Sequence, residues 1–158
     1  MRINKAVLIS IRPEWCEKII CGRKTMELRK SAPNMRAPFK CYIYMTKHRW
    51  VFRLLAAFGM SSLANLLEKS GGKVIGSFVC DSILEHCEMA NADIAEQQSL
   101  VKREKILQYA NGKPVYGWHI SDLKIYDRPR DVRDFHCFGH IFPINRPPQS
   151  WCYVEDIV

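Results

Sequence analysis

Short strand-like segments recur along the whole chain, and they limit the fold more than any other feature of the sequence. The first, Val7–Ile11, is a nearly continuous β-branched apolar run and predicts a buried strand. Residues 25–30 and 39–46 alternate between two faces, as half-buried strands do. Further strands are predicted at 73–80, 115–126 and 151–154, and 138–144 is one more candidate.

Helical patterns separate these strands. Pro13 suits a first helical position, and Gly22 ends the apolar periodicity that follows it. A helix is also predicted over Val51–Lys69, and residues 93–110 have the composition of one or two helices that end at Asn111-Gly112. The order of elements predicts an α+β fold, a mixed β-barrel of about six strands with flanking helices.

The length of 158 residues is that of a single domain, 1–158, with a helical insertion at about 50–70. The longest apolar stretch, Trp50–Leu67, contains an arginine, a glycine and three further polar residues, so it is poor material for a membrane span. The chain has seven cysteines in no framework spacing and no pattern of a cleaved signal. We therefore expect reduced thiols and a cytoplasmic protein.

Positive charge is concentrated in the first third of the chain. Residues 1–53 hold 13 Lys/Arg and three acids, whereas the other 105 residues hold 11 Lys/Arg and 13 acids. Such a one-sided field favours a polyanion such as nucleic acid as the partner. The alternative is a basic surface that serves only solubility.

The stretch Gly22–Lys30 carries the most chemistry. The glycine lets the chain leave the first helix, and Lys24 follows at the entrance of a strand. Thr25, Glu27 and Arg29 share one face of that strand by alternation. A lysine can meet a phosphate as a compact charge, and an arginine can fork onto a phosphate or a guanine. The plain alternative is a solvated Glu27–Arg29 ion pair of little energetic weight.

With these residues the sequence resembles the ASCH domain, a relative of the PUA domain. Besides Gly-x-Lys-Thr-x-Glu-x-Arg at 22–29, the resemblance extends over most of the chain. It includes 7–11, the helix start at Pro13-Glu14, 42–47, 72–78 and 116–120. Residues 147–154 are similar to the tail of bacterial and phage-associated members.

The resemblance implies a PUA-like barrel whose cleft, beside the first helix, binds RNA or a nucleotide. Lys24, Glu27 and Arg29 would line this cleft, and Lys47 would add a charge from the neighbouring strand. Glu27 would accept a hydrogen bond from a base. Tyr44, Trp50 or Trp118 would supply stacking faces. Because Trp118 and His119 alternate, one faces the core and the other faces cleft or solvent, so core packing of Trp118 is an equal alternative.

Some relatives are amidohydrolases that remove the acetyl group of N4-acetylcytidine, and a ribonuclease activity has been proposed for others. In this sequence Lys24 matches the amidohydrolases' lysine. Their threonine nucleophile falls at Glu27, Thr25 is a hydroxyl two residues early, and their glutamate falls at Gln98. If the chain is an enzyme, the candidates are Lys24, Thr25 and Glu27, but a non-catalytic binding domain fits the sequence better.

Two other features have simpler explanations. His136, Cys137, His140 and Cys152 can all bind metals, but their spacing is no familiar zinc signature, and we expect neither a metal nor a cofactor. The apolar face of Val51–Lys69 is expected to cap the barrel, with self-association as the alternative.

Overall fold

The computed structural model describes residues 4–47 and 68–157, together with positions 57, 59 and 65. The described strands form a mixed six-stranded sheet in the order β2-β5-β4-β3-β1-β6. They are β1 (Lys5–Ile11), β2 (Met26–Arg29), β3 (Phe39–Met45), β4 (Lys73–Leu84), β5 (Tyr116–Arg130) and β6 (Trp151–Glu155). β1 pairs parallel with β3 and antiparallel with β6, and β2 pairs antiparallel with β5. The predicted α+β fold of about six strands is confirmed.

The described helices include α1 (Pro13–Ile20), α2 (Ala92–Ser99) and α3 (Arg103–Ala110), with a 3-10 turn at Val132–Asp134, and residues 68–70 are helical as well. Leu100 adopts a left-handed conformation (φ 61°) directly after α2. The region predicted as one or two helices is therefore two. The predicted helix over Val51–Lys69 lies almost entirely outside the described residues, and the insertion stays a prediction.

The chain divides into two compact units. Unit 1 comprises Met1–Glu17, Lys40–Phe78 and Lys124–Val158. Its core contains Leu8, Tyr42, Phe135 and Val154, all buried. The Tyr42 hydroxyl donates to Asp156, which also accepts from Lys40 Nζ at 2.9 Å, so the residues after β6 are tied to β3.

Unit 2 comprises Lys18–Phe39 and Val79–Leu123. In it α2 packs on β2 and on α3. A second core forms there from small and branched apolar side chains, namely Met26, Cys87, Ala95, Ile106, Ala110 and Val115. The prediction of a single domain over 1–158 stays a prediction.

Two local predictions were wrong. Residues 138–144 do not form a strand: the region has only isolated bridges nearby, and Ile141 and Phe142 are 84% and 69% exposed. Gly139, at φ 78°, departs from the extended conformation that a continuous strand needs. β2 is also not half-buried, since Met26, Glu27 and Arg29 are all buried.

In the described part of the chain, no helix has the length and apolar character needed to cross a membrane.

Candidate nucleic-acid interface

The end of α1 places Lys24 at the start of β2. Gly22 takes a positive φ of 70°, a conformation that glycine adopts without steric cost. The backbone N–H groups of Arg23 and Lys24 then donate to the Lys18 carbonyl at 2.9 and 3.0 Å. These bonds satisfy the last turn of the helix and turn the chain toward the strand. The helix stop inferred from the sequence thus also delivers the lysine.

Lys24, Glu27 and Arg29 form one buried cluster, here called the motif cluster. The Glu27 carboxylate lies 3.2 Å from Lys24 Nζ and accepts a 3.0 Å hydrogen bond from Arg29 Nη2. Lys24 Nζ also donates to the Ser99 carbonyl at 3.0 Å. The side chains of Lys24, Glu27 and Arg29 are only 2%, 9% and 10% exposed. The ion pair exists, but the alternative of a solvated pair is wrong.

Burial changes the protonation energetics of this cluster. Desolvation lowers the pKa of the Lys24 ammonium from its usual 10.5, against the attraction of Glu27, which raises it. Arg29 and Lys18 add to the lowering because they are cations too. One carboxylate therefore faces two cations in a poorly hydrated place, and the cluster keeps an excess of positive charge while Lys24 is protonated.

The β2–β5 ladder decides which neighbours share a face with the cluster. Glu27 pairs with Trp118, and Met26 pairs with His119. Paired residues point to the same side of a sheet, and successive residues point to opposite sides. Trp118 is fully buried and meets Phe39 edge-on, with ring centroids 5.8 Å apart. The predicted alternation is correct, and the indole belongs to the core, with no exposed ring face.

The remaining predicted site residues are placed as follows. Thr25 is partly exposed, and its backbone N–H donates to the Gln98 carbonyl at 2.9 Å. Tyr44 and Lys47 belong to unit 1. Tyr44 is 6% exposed within that unit's core, where burial raises the pKa of its hydroxyl, so its ring has little surface for stacking. Lys47 is exposed. Trp50 lies outside the described residues.

Tyr109, on α3, is an aromatic residue next to the motif cluster that sequence reasoning missed. Its side chain is 40% exposed, and Lys30 Nζ lies 4.8 Å from the ring centroid. Desolvation raises the pKa of its hydroxyl, while the charge of Arg29 lowers it and that of Glu27 raises it. This ring combines exposure with a cationic neighbourhood, which Trp118 and Tyr44 do not.

A cavity of about 500 Å³ lies in unit 2, on the face of β2 opposite Glu27. We call it the β2 pocket. Its apolar lining residues are Met26, Leu84 and Ile94, and its polar ones are Asp81, Ser82, Gln98 and His119. His119 Nδ1 and Asp81 Oδ1 are 2.7 Å apart, and Ser82 Oγ donates to the same oxygen at 3.2 Å. The pocket thus has a built polar edge.

A family model, the ASCH domain, matches residues 9–127, about three quarters of the chain. The chain belongs to the ASCH family. No curated protein matches it.

Solved structures agree on the fold of this ASCH domain. The ASCH protein of Zymomonas mobilis has a TM-score of 0.65 and 18% identity, over 94% of this chain and 86% of that one. Its Tyr-to-Phe mutant gives 0.65 and 19% over 95% and 90%, and its Ser-to-Ala mutant gives 0.66 and 18% over 97% and 90%. At such identities the likeness establishes the fold, and the PUA-like class is confirmed.

The amidohydrolase positions are only partly kept in this ASCH domain. Lys24 is present with a lowered pKa. Glu27 stands where a hydroxyl nucleophile is needed, and its carboxylate is held by two cations. Gln98 lines the β2 pocket, but an amide has no titratable proton for acid–base work. Among the described residues no cluster of three His, Cys, Asp or Glu is arranged to hold a metal.

The β2 pocket joins residues that are far apart in the sequence, which is why the pattern did not reveal it. Asp81 lies on β4, Gln98 on α2 and His119 on β5. One signal was available: the alternation at Trp118-His119 sends one residue away from the core. The partner Asp81 had no such signal, because only strand pairing brings it to the histidine.

Proposed function

We propose that this ASCH domain binds RNA, or a nucleotide, through the motif cluster in unit 2. The observation that carries the proposal is the Glu27 carboxylate fixed between Lys24 and Arg29, at 3.2 and 3.0 Å. Three charged side chains held rigidly in a buried place form a preformed set of two donors and one acceptor, with excess positive charge. Such preorganisation reduces the ordering cost that a flexible surface would incur on binding.

The charge around the cluster supports an anionic ligand. Residues 18–39 of unit 2 hold six Lys/Arg and one acid, Glu27. Arg23 and Lys30 are exposed and stand next to the motif in the chain. Exposed cations of this kind attract the phosphate backbone and make binding depend steeply on salt. Lys47, exposed in unit 1, is proposed as a further phosphate contact.

Tyr109 supports single strands over duplexes. An exposed aromatic ring offers a face on which an unpaired base stacks, and Lys30 beside it neutralises phosphate. The proposal therefore replaces Tyr44 and Trp118 as stacking residues, because both are buried in cores. These two keep a supporting role through packing.

Glu27 is proposed to select ligands rather than to attract them. Its charge partly offsets Arg29 and Lys24, so a bare phosphate gains less there than beside lysines alone. A nucleotide offers both an anion and a hydrogen-bond donor, and it can satisfy both kinds of group. An analogue without the donor would leave a desolvated carboxylate less well paired.

Fluorescence anisotropy with a short labelled single-stranded RNA tests the proposal. We expect log affinity to fall linearly with log salt, by about 0.7 for each phosphate contacted. Lys24→Met should weaken binding, whereas Lys105→Met, at an exposed lysine of α3, should change it little; circular dichroism checks the fold of both. Absence of RNA or nucleotide binding by the wild type at low salt would refute the proposal.

Glu27→Gln gives a second, independent readout. It should raise the affinity for heparin, a simple polyanion, and reduce the preference among defined oligonucleotides. Equal changes for every ligand would mean that Glu27 only tunes the overall field.

The lowered pKa of Lys24 is the one observation that favours a deacylase instead. A desolvated lysine can act as a base near neutral pH. Incubation with N4-acetylcytidine, and with intact RNA analysed on a gel, should show no turnover. Deacetylation that Lys24→Met abolishes, or RNA cleavage by the pure protein, would replace the binding proposal by an enzymatic one.

Three further expectations remain proposals about the whole protein. These are a cytoplasmic location, a bacterial or phage-associated type, and self-association through residues 51–69. Sedimentation over a range of protein concentrations tests the last of them.

A further inference from the structure

The β2 pocket lies on the opposite face of β2 from the motif cluster and has no part in the function proposed above. We propose that it binds one unpaired nucleobase that carries an exocyclic amino group, such as adenine or cytosine. This inference deepens the proposed function, because a single-stranded RNA is a source of such a base. It concerns a second subsite with a chemistry different from that of the cluster.

The size and lining of the pocket suit a small flat heterocycle. Its volume of about 500 Å³ falls within the range of small-ligand sites, roughly 300–1,000 Å³. Met26, Leu84 and Ile94 provide the apolar contacts. Ile94 is 45% exposed although it is a large apolar residue, so covering it would remove apolar surface from water.

The polar edge favours a hydrogen-bond donor and disfavours a phosphate. Among the described residues, the lining contains a carboxylate, Asp81, and no lysine or arginine. An ionised carboxylate has about four acceptor sites, and its side-chain hydrogen bonds to His119, Ser82 and Ser121 leave capacity for another donor. Partial desolvation opposes ionisation, but these hydrogen bonds, above all that of His119, hold the pKa of Asp81 below its usual value of 3.8. The acceptor is therefore charged at neutral pH.

Gln98 and His119 complete the polar edge. The backbone carbonyl of Gln98 accepts a hydrogen bond from the Thr25 N–H at 2.9 Å, which ties the end of α2 to the start of β2. The side-chain amide of Gln98 offers a donor and an acceptor together, the pair that matches the amino group and ring nitrogen of adenine. The 2.7 Å contact of His119 Nδ1 with Asp81 orients the ring and directs Nε2 away from the carboxylate.

Nucleosides without phosphate separate this proposal from binding at the motif cluster. We would titrate the labelled protein by NMR at pH 7 with two pairs, cytidine against uridine and adenosine against inosine. Within each pair an amino group is exchanged for a keto oxygen. Cytidine and adenosine should bind about tenfold or more tightly than their partners, since one good base contact discriminates by that order. The shifts should centre on Met26, Gln98 and His119.

Matched variants localise the effect. Asp81→Asn replaces an acceptor by a group that also donates, and it should abolish the preference for amino bases. Asp127→Asn makes the same charge change at an exposed residue outside the pocket and should keep the preference. Gln98→Leu should weaken all binding at least several-fold, whereas Gln97→Leu, at the exposed neighbour, should not.

The outcomes are distinguishable. Equal binding of all four nucleosides, no binding up to their solubility, or identical effects of variant and control would overturn the pocket proposal. RNA binding by the wild type without nucleoside shifts would overturn it and leave the motif cluster intact. Selective nucleoside binding without RNA binding at low salt would support the pocket and refute the proposed function.

Discussion

The two faces of β2 make an instructive comparison. On one face, Glu27 and Arg29 are buried charges that hold each other, with Lys24 as the third partner. On the other face, Met26 and its partner His119 line a cavity whose Asp81 and His119 side chains are 44% and 34% exposed. Both neighbouring residues are buried, but Glu27 lies among charged partners, whereas Met26 lies beside a cavity with half-exposed polar groups.

The two faces differ in how strongly their charged groups are coupled to folding. A buried charge is stable only while its counter-charge is present, so the motif cluster is strongly coupled to folding. Ionisation of a half-exposed carboxylate costs little free energy because water still solvates it, and a ligand can replace that water. We therefore expect substitutions on the first face to change stability as well as RNA binding, and those on the second to change binding with little effect on stability.

The largest expected effect is on the free energy of unfolding. Glu27→Ala leaves two buried cations without their carboxylate and should cost about 3–5 kcal/mol. Asp81→Ala, on the other face, should cost less than about 1 kcal/mol because that carboxylate is half-exposed and pairs with a partly exposed partner. Urea denaturation measures both. Similar losses for the two variants would remove the distinction between the faces.

The next largest expected effect is on the affinity for RNA. Tyr109→Ala should weaken single-stranded RNA binding by about 1–3 kcal/mol, the usual range for one stacked base. Leu107→Ala, at a 49% exposed residue of the same helix, is the matched control and should leave affinity nearly unchanged. Loss of affinity in the control alone would place the contact elsewhere on α3.

A smaller effect is the pH dependence of stability. Because burial lowers the pKa of Lys24 below 10.5, the unfolded chain binds more protons than the folded chain between the two pKa values. The contribution of Lys24 to stability therefore rises as the pH rises through that window. Thermal unfolding of the wild type minus Lys24→Met should show this rise, and a Lys105→Met subtraction should not. A difference between wild type and Lys24→Met that does not change with pH would mean that water reaches the cluster.

The smallest effect concerns thiol reactivity around unit 2. Desolvation raises the pKa of Cys87 to about 11 and that of Cys80 to about 12, so both stay protonated at pH 8. Cys21 is exposed. A thiol reagent followed by peptide mapping should modify Cys21 in the native protein and Cys80 and Cys87 only after unfolding. Rapid labelling of Cys87 in the native protein would mean that the reagent reaches the core that Cys87 shares with Met26.

Some of this molecule follows from local patterns. The alternation of residues 25–30, the stop at Gly22 and the strand at Val7–Ile11 all appear in the structure as predicted. These features depend on side-chain period and on the conformational freedom of glycine, which neighbouring residues determine. Patterns of this kind were enough for the α+β class and for the family.

Other features arise only from tertiary packing. The alternation separates Glu27 from Met26 but does not say which face is covered, and here both are. Likewise, alternation alone does not say which of Trp118 and His119 faces the core. The pairing of β5 with β2 and the contact of Phe39 with the indole place Trp118 there. The apolar run 138–144 has the composition of a strand, yet Gly139 has a positive φ and Phe142 is 69% exposed.

Local patterns in the sequence predicted the six described strands and three described helices in their order, with one strand too many at 138–144. They also showed the concentration of positive charge before residue 54 and the motif that presents Lys24. Tertiary packing buries the motif charges, places Tyr109 beside them as an exposed ring and brings Asp81 to His119. The physical reason is that periodicity and turn chemistry are local, whereas burial and contact depend on which distant segments pack against a face.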